Sequence, residues 1–223
     1  MFKKVLSTTV LGISALGVMA ANAAAPGVYV TGQLGYANTH MGNNTNFDDA
    51  HDNLPVHFHP NNEKDKDLSN NGLAGRIALG YQFNQNFAVE AGYLRLGQTK
   101  VAGIIVDDIH YDHDAATFKL QQNVIDIVAK GIVPICDKFN LYGKAGLAYI
   151  NTNISGIVDV NPTTKVKLTH QQHKLAPEVA LGVSYDITPN VSIDTSWTHI
   201  QAVGKNRPGN IDFVAVGLGY NFG

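Results

Sequence analysis

The sequence predicts an all-β protein: an eight-stranded antiparallel up-and-down transmembrane β-barrel over residues 24–223, behind a cleavable signal peptide over residues 1–23. Three observations carry this expectation: an export-type leader, period-two alternation in segments of about ten residues, and connections that alternate between short and long. Composition sets the outer bounds. Charged residues are 15% of 223, and glycines number 22, a low-charge, glycine-rich chain. Mean hydropathy is -0.06, so apolar residues are dispersed along the chain. A formal charge of -2 lacks the basic face that phosphate neutralisation needs, so no nucleic-acid partner is expected. One cysteine excludes both a disulfide scaffold and a cysteine-rich zinc fold.

The leader comes first. Lys3 and Lys4 supply its positive region, Val5 to Ala20 an apolar and small-residue stretch, and Ala21-Asn22-Ala23 a small-x-small cleavage site. A membrane anchor would need about 20 strongly apolar residues, and Ser7, Thr8, Thr9 and Ser14 interrupt this run. Removing two lysines leaves 14 basic against 18 acidic residues, a charge of -4. No later stretch approaches a spanning helix, so entry into a membrane has to be by strands.

Eight alternating segments follow. The first sets Val28, Val30, Gly32, Leu34 and Tyr36 against Tyr29, Thr31, Gln33 and Gly35. The second sets Leu73, Ile77, Leu79, Tyr81 and Phe83 against Arg76, Gly80 and Gln82; the third, Phe87, Val89, Ala91 and Tyr93 against Ala88, Glu90 and Gly92. In the fourth, Ile125, Ile127, Ala129 and Val133 oppose Gln122, Asp126 and Lys130. The fifth opposes Leu141, Ala145, Leu147 and Tyr149 to Lys144, Gly146 and Ala148. The sixth opposes Leu175, Val179, Leu181, Val183 and Tyr185 to Glu178, Gly182 and Ser184. Val191, Ile193 and Trp197 against Ser192, Asp194 and Ser196 make the seventh. The eighth runs Val214, Val216, Leu218, Tyr220 and Phe222 against Ala215, Gly217, Gly219 and Asn221.

Three connections are tight, at residues 84–86, 136–138 and 188–190, and four are open, at 41–71, 99–115, 153–172 and 204–210. Outer-membrane barrels are built with this rhythm, short turns periplasmic and long loops outside, which puts both termini in the periplasm. A soluble barrel would line a cavity with its apolar face. Here that face carries aromatics near both strand ends, as two lipid interfaces require. Tyr81, Phe83, Phe87, Phe139, Tyr185, Tyr220 and Phe222 fall on the turn side, and Tyr36, Tyr93, Tyr149 and Trp197 towards the loops.

The stretches Leu141-Tyr142-Gly143-Lys144-Ala145-Gly146-Leu147 and Gly217-Leu218-Gly219-Tyr220-Asn221-Phe222 resemble recurrent strand sequences of a known family. It is the small eight-stranded outer-membrane family that includes OmpA-like transmembrane domains and opacity-type surface proteins. The resemblance implies residence in the outer membrane of a Gram-negative-type cell, in contact with its lipid and lipopolysaccharide. It also implies that the final ladder of Val214, Val216, Leu218, Tyr220 and Phe222 is the signal read by the barrel-assembly machinery. The chain departs from the pattern by ending in Gly223 after the aromatic.

Inside so narrow a barrel, side chains fill the lumen. The inward charges are Arg76, Glu90, Asp126, Lys130, Lys144, Glu178 and Asp194, which must pair because isolated buried charges cost several kcal/mol each. Lys144 and Arg76 are each expected to meet Glu90, Glu178 or Asp194. All nine histidines (His40, His51, His57, His59, His110, His113, His170, His173 and His199) fall on the loop side. His57 with His59 and His110 with His113 have ligand-like spacings beside acids, but no spacing matches a defined metal site, so neither metal nor cofactor is expected. His199 lies near the membrane edge as in a lipid A deacylase of PagL type, yet Gln201 stands where the nucleophile would be, so no enzyme is expected. The chain therefore reads as a surface protein whose long loops contact a host or surface ligand. A narrow OmpW-like barrel admitting small apolar molecules is the alternative.

Overall fold

Three short connections fold the chain into hairpins, each with turn chemistry written into its residues. Between β3 (Gly72–Asn84) and β4 (Phe87–Arg95), the Asn84 side-chain oxygen accepts from the Asn86 backbone N–H at 2.9 Å, and the Asn86 amide donates to the Ile132 carbonyl at 3.0 Å. Asp137 and Lys138 join β6 (His113–Cys136) to β7 (Phe139–Asn161). Between β8 (Thr164–Asp186) and β9 (Val191–Ile200), Pro189 presets the turn and Thr188 Oγ1 accepts from the Val191 N–H at 3.0 Å. The remaining strands are β1 (Gly27–His40), β2 (Val56–Pro60), β5 (Thr99–Asp107) and β10 (Asn210–Asn221). This computed structural model describes residues 26–40, 56–60, 71–107, 113–161, 164–203 and 209–222. The leader over 1–23 lies outside them, as do His51 and His110.

All pairings are antiparallel. The order β6-β4-β3-β1-β10-β9-β8-β7 closes on itself because β7 pairs back to β6, giving an eight-stranded cylinder. First and last strands meet along their length, from Tyr29 opposite Asn221 to His40 opposite Asn210. Closure removes the open edges that would leave backbone groups unpaired in hydrocarbon. Prolines respect the same rule. Pro134 borders the β-bulge between Pro134 and Cys136 in β6. In β8, the Pro177 carbonyl faces the β9 side and accepts from the Gln201 N–H at 3.0 Å, one residue beyond the last β8–β9 pair, Glu178 with Ile200. The donor that proline lacks therefore points where β9 has already ended.

The pleat separates two surfaces. Leu73, Ile77, Ile127, Leu181 and Leu218 point outward, and Leu73 is 73% exposed. On the turn side an aromatic ring surrounds the wall: Tyr81 and Phe83 meet edge-on at 5.0 Å, as do Tyr220 and Phe222, while Phe139 packs on Tyr185 at 5.6 Å. Tyr36, Tyr93, Tyr149 and Trp197 face outward towards the loop side. An exposed apolar belt between aromatic rings is the surface that a bilayer covers.

The loop side departs from expectation. β6, β7 and β8 contain 24, 23 and 23 residues, whereas about 9–11 suffice to cross the hydrocarbon core. Beyond the barrel they continue as a sheet, with β5 paired to the first part of β6 and β2 paired to β5. The connections read as open loops at 41–71, 99–115 and 153–172 thus contain β2, β5 with the start of β6, and the joined ends of β7 and β8. A strand pair projecting into water has no lipid-facing side to enforce apolar alternation, so its sequence reads as loop.

Candidate functional site

The middle of the barrel is organised around Glu90, whose side chain is wholly buried. Inward alternation on β4 places it there, and three other strands deliver cations to it across the lumen. Lys144 on β7 donates to Glu90 Oε2 at 2.6 Å, Lys130 on β6 lies 3.3 Å from Oε1, and Arg76 on β3 approaches Oε2 at 3.4 Å. The Tyr29 hydroxyl of β1 adds a fourth donor at 2.8 Å. Arg76 also grips Asp126 with two nitrogens, Nε donating to Oδ2 at 3.0 Å. Lys130 lies over the Tyr142 ring at 4.5 Å and the Tyr29 ring at 5.3 Å. Charges in so dry a space persist only when mutually paired and hydrogen-bonded.

The other two inward acids behave differently. Asp194 is held by Gln33 Nε2 at 2.9 Å rather than by a cation, and the same nitrogen reaches Ser196 Oγ at 3.2 Å. Glu178 is buried, and its Oε2 has no hydrogen-bond partner among the described residues. Glycines make room for the network. A Cβ at Gly92 would strike the Arg76 guanidinium and the Asp126 carboxylate, while at Gly80 and Gly182 it would strike the Tyr29 and Tyr142 rings. Tyr29, Tyr142 and Arg76 thus each lie against a neighbouring strand's glycine.

Two further layers bracket the charges. At the turn end lies a cavity of about 70 Å³, bordered by Tyr29, Lys130, Asn140, Asp186, Asp194 and Asn221. Towards the loops, Leu94, Val124, Ile150, Ile200, Ile211 and Phe213 point inward and bury one another. Sequence reading missed this apolar layer, as well as Tyr29, Gln33 and Tyr142 as network members. The parity that marks Glu90 as inward also marks Leu94, so strand phase was the signal available. A rule equating apolar with outward overrode it.

Beside Trp197 of the loop-side girdle, three strands converge on Asp212. His199 Nδ1 lies 2.8 Å and the Trp197 indole N–H 3.1 Å from its Oδ1, and His40 Nδ1 lies 3.4 Å from Oδ2. Gln201 Oε1 faces the other His199 nitrogen at 3.1 Å. Oxygen atoms therefore face both ring nitrogens of His199. His57, His59 and His113 lie on β2 and β6, but their side chains are outside the described surfaces. The described residues contain no group of three or more metal-ligating side chains.

Comparison with known proteins then decides the family. The model of the OmpA-like transmembrane domain matches residues 23–223. This chain belongs to that family. An uncharacterised protein of Coxiella burnetii is 27% identical over 224 residues, covering 90% of this chain and 87% of the relative. Outer membrane protein P5 of Haemophilus influenzae is 27% identical over 178 residues, covering 72% of this chain. The OmpA-like chain spans about half the P5 length, 47%. Among solved structures, Neisserial surface protein A matches with a TM-score of 0.50 at 18% identity, covering 87% of this chain and 97% of that one. At that identity the likeness concerns the fold. This OmpA-like barrel is an outer-membrane protein.

Proposed function

We propose that the barrel is a closed scaffold and that the β2-β5-β6-β7-β8 extension with its connections carries the function, as adhesion or contact with a host or surface ligand. The observation that carries the reading is the stacking of two unlike closures within one narrow lumen, the Glu90 charge layer and the Leu94–Phe213 apolar layer. A general diffusion pathway would have to break both. The extended sheet instead offers recognition surface on a rigid base, which is where binding residues concentrate. The same reading has residues 1–23 removed on export, both termini in the periplasm, Val214 to Phe222 read by the assembly machinery, and lipopolysaccharide around the outer rim. It assigns no catalysis, since Gln201 rather than a hydroxyl adjoins His199.

Deleting residues 154–171 should abolish binding of cells bearing this protein to a ligand-coated or host surface. The barrel should still resist SDS at room temperature. Loss of neither property, or of both together, rejects the assignment. In planar bilayers the whole protein should give no stepwise conductance; steady single-channel openings would favour the OmpW-like alternative, against which the paired mid-plane charges stand.

A further inference from the structure

The lipid-facing wall is not uniformly clad. Across β1, β3 and β4, two adjacent rows of outward residues run Leu34, Gly75, Arg95 and Gly32, Ile77, Tyr93. Both rows lose a side chain at glycine, and the result is a furrow of about 830 Å³ in the outer wall, open to its surroundings. A Cβ at Gly32 would meet nothing within 4 Å, and one at Gly75 would meet only Leu34 Cδ2 at 3.3 Å and the Gln33 carbonyl at 3.7 Å. Packing within the barrel therefore does not require glycine at either place. Leu34, Ile77 and Tyr93 form apolar banks.

The upper end of the furrow is chemically different. Arg95 points outward on β4, two residues beyond Tyr93 of the loop-side girdle, and is exposed. Its cross-strand neighbours are Gly75 and Asn123, and it has no acidic partner among the described residues. Gln98 and Gln121 line the same end. A guanidinium on the lipid face at headgroup depth is favourable when it reaches a phosphate, for which its fork of donors is matched.

We propose that this furrow is a lipid site, holding an acyl chain against Gly32 and Gly75 while Arg95 binds the phosphate of the same molecule. The occupant is a phosphorylated, acylated glycolipid of the outer leaflet, of the lipid A class. The inference rests on the proposed orientation, with the loop side outward, because only then does Arg95 stand in the outer leaflet. The furrow supplies the fit to a chain and the cation supplies the headgroup selectivity; surrounding lipid would occupy a smooth wall without either.

The test is native mass spectrometry of the refolded full chain in detergent, titrated with diphosphorylated lipid A and with the same lipid dephosphorylated. The unaltered protein should retain the phosphorylated form preferentially. Arg95→Gln should weaken it by about fivefold, the effect of one interfacial cation, and leave the dephosphorylated form unchanged. Gly32→Phe should weaken both forms, and Leu147→Phe, on the exposed wall of β7, should weaken neither. Equal retention of the two lipids, or no effect of Arg95→Gln and Gly32→Phe in protein that still resists SDS, overturns the proposal. Loss of SDS resistance in the unaltered protein would instead refute the barrel itself. Accessibility of the β10 end to a periplasmic-side label in intact cells checks the orientation separately.

Discussion

At the residue scale, Glu90 is the side chain on which most others depend. Removing it takes the ion-pair partner from Lys144 and Lys130 in a dry interior and leaves Arg76 with Asp126. Glu90→Ala should therefore destabilise the barrel by about 3–5 kcal/mol, read by urea unfolding in lipid vesicles. The variant should still not conduct, because the Leu94–Phe213 layer lies outside the network. Asp212 is the corresponding residue at the rim. Its carboxylate accepts from the Trp197 indole N–H and faces both His199 and His40. Asp212→Ala should remove these contacts and lower stability by about 1 kcal/mol, read by urea unfolding in lipid vesicles.

Individual residues were unequally legible. Arg76, Glu90, Asp126, Lys130 and Lys144 could be placed inward because charge is costly in hydrocarbon, whichever partner each finds. Their partners were not legible. Glu90 meets cations from β3, β6 and β7, and that meeting depends on register, which has no signature in any one strand. Asp194 illustrates the limit: it reads as a member of an ion-pair network and is met instead by the amide of Gln33.

At the scale of elements, strands wetted on one side and greasy on the other are readable, and strands wetted on both sides are not. β1, β3, β4, β9 and β10 alternate cleanly because lipid faces one surface. The outer portions of β6, β7 and β8 lose that contrast beyond the girdle, although their ladder continues to Asp159 opposite Lys165. These portions should be dispensable for closure: removing residues 154–171 leaves every β8–β9 and β9–β10 pair intact. The same deletion that tests ligand contact therefore doubles as a test of modular construction, with SDS resistance as its readout.

At the scale of the whole molecule, lumen and wall do different work. The lumen stacks a small polar cavity, a charge layer and an apolar layer, and the lack of conductance expected in planar bilayers would follow from the stack rather than from any one contact. The wall presents an apolar belt that carries a glycine-floored furrow. Lipid retention that survives Glu90→Ala but falls with Arg95→Gln would separate the two surfaces experimentally.

Strand number, the inward or outward sense of each strand and residence in a membrane were determined by the amino-acid sequence alone. Each is a one-dimensional consequence of burying alternate side chains in hydrocarbon. Which cation meets Glu90, where inward apolar residues gather into a second closure, and how outward glycines from separate strands line up were decided only by the tertiary structure. Those properties arise between strands, where stagger around a closed cylinder brings together residues far apart in the chain.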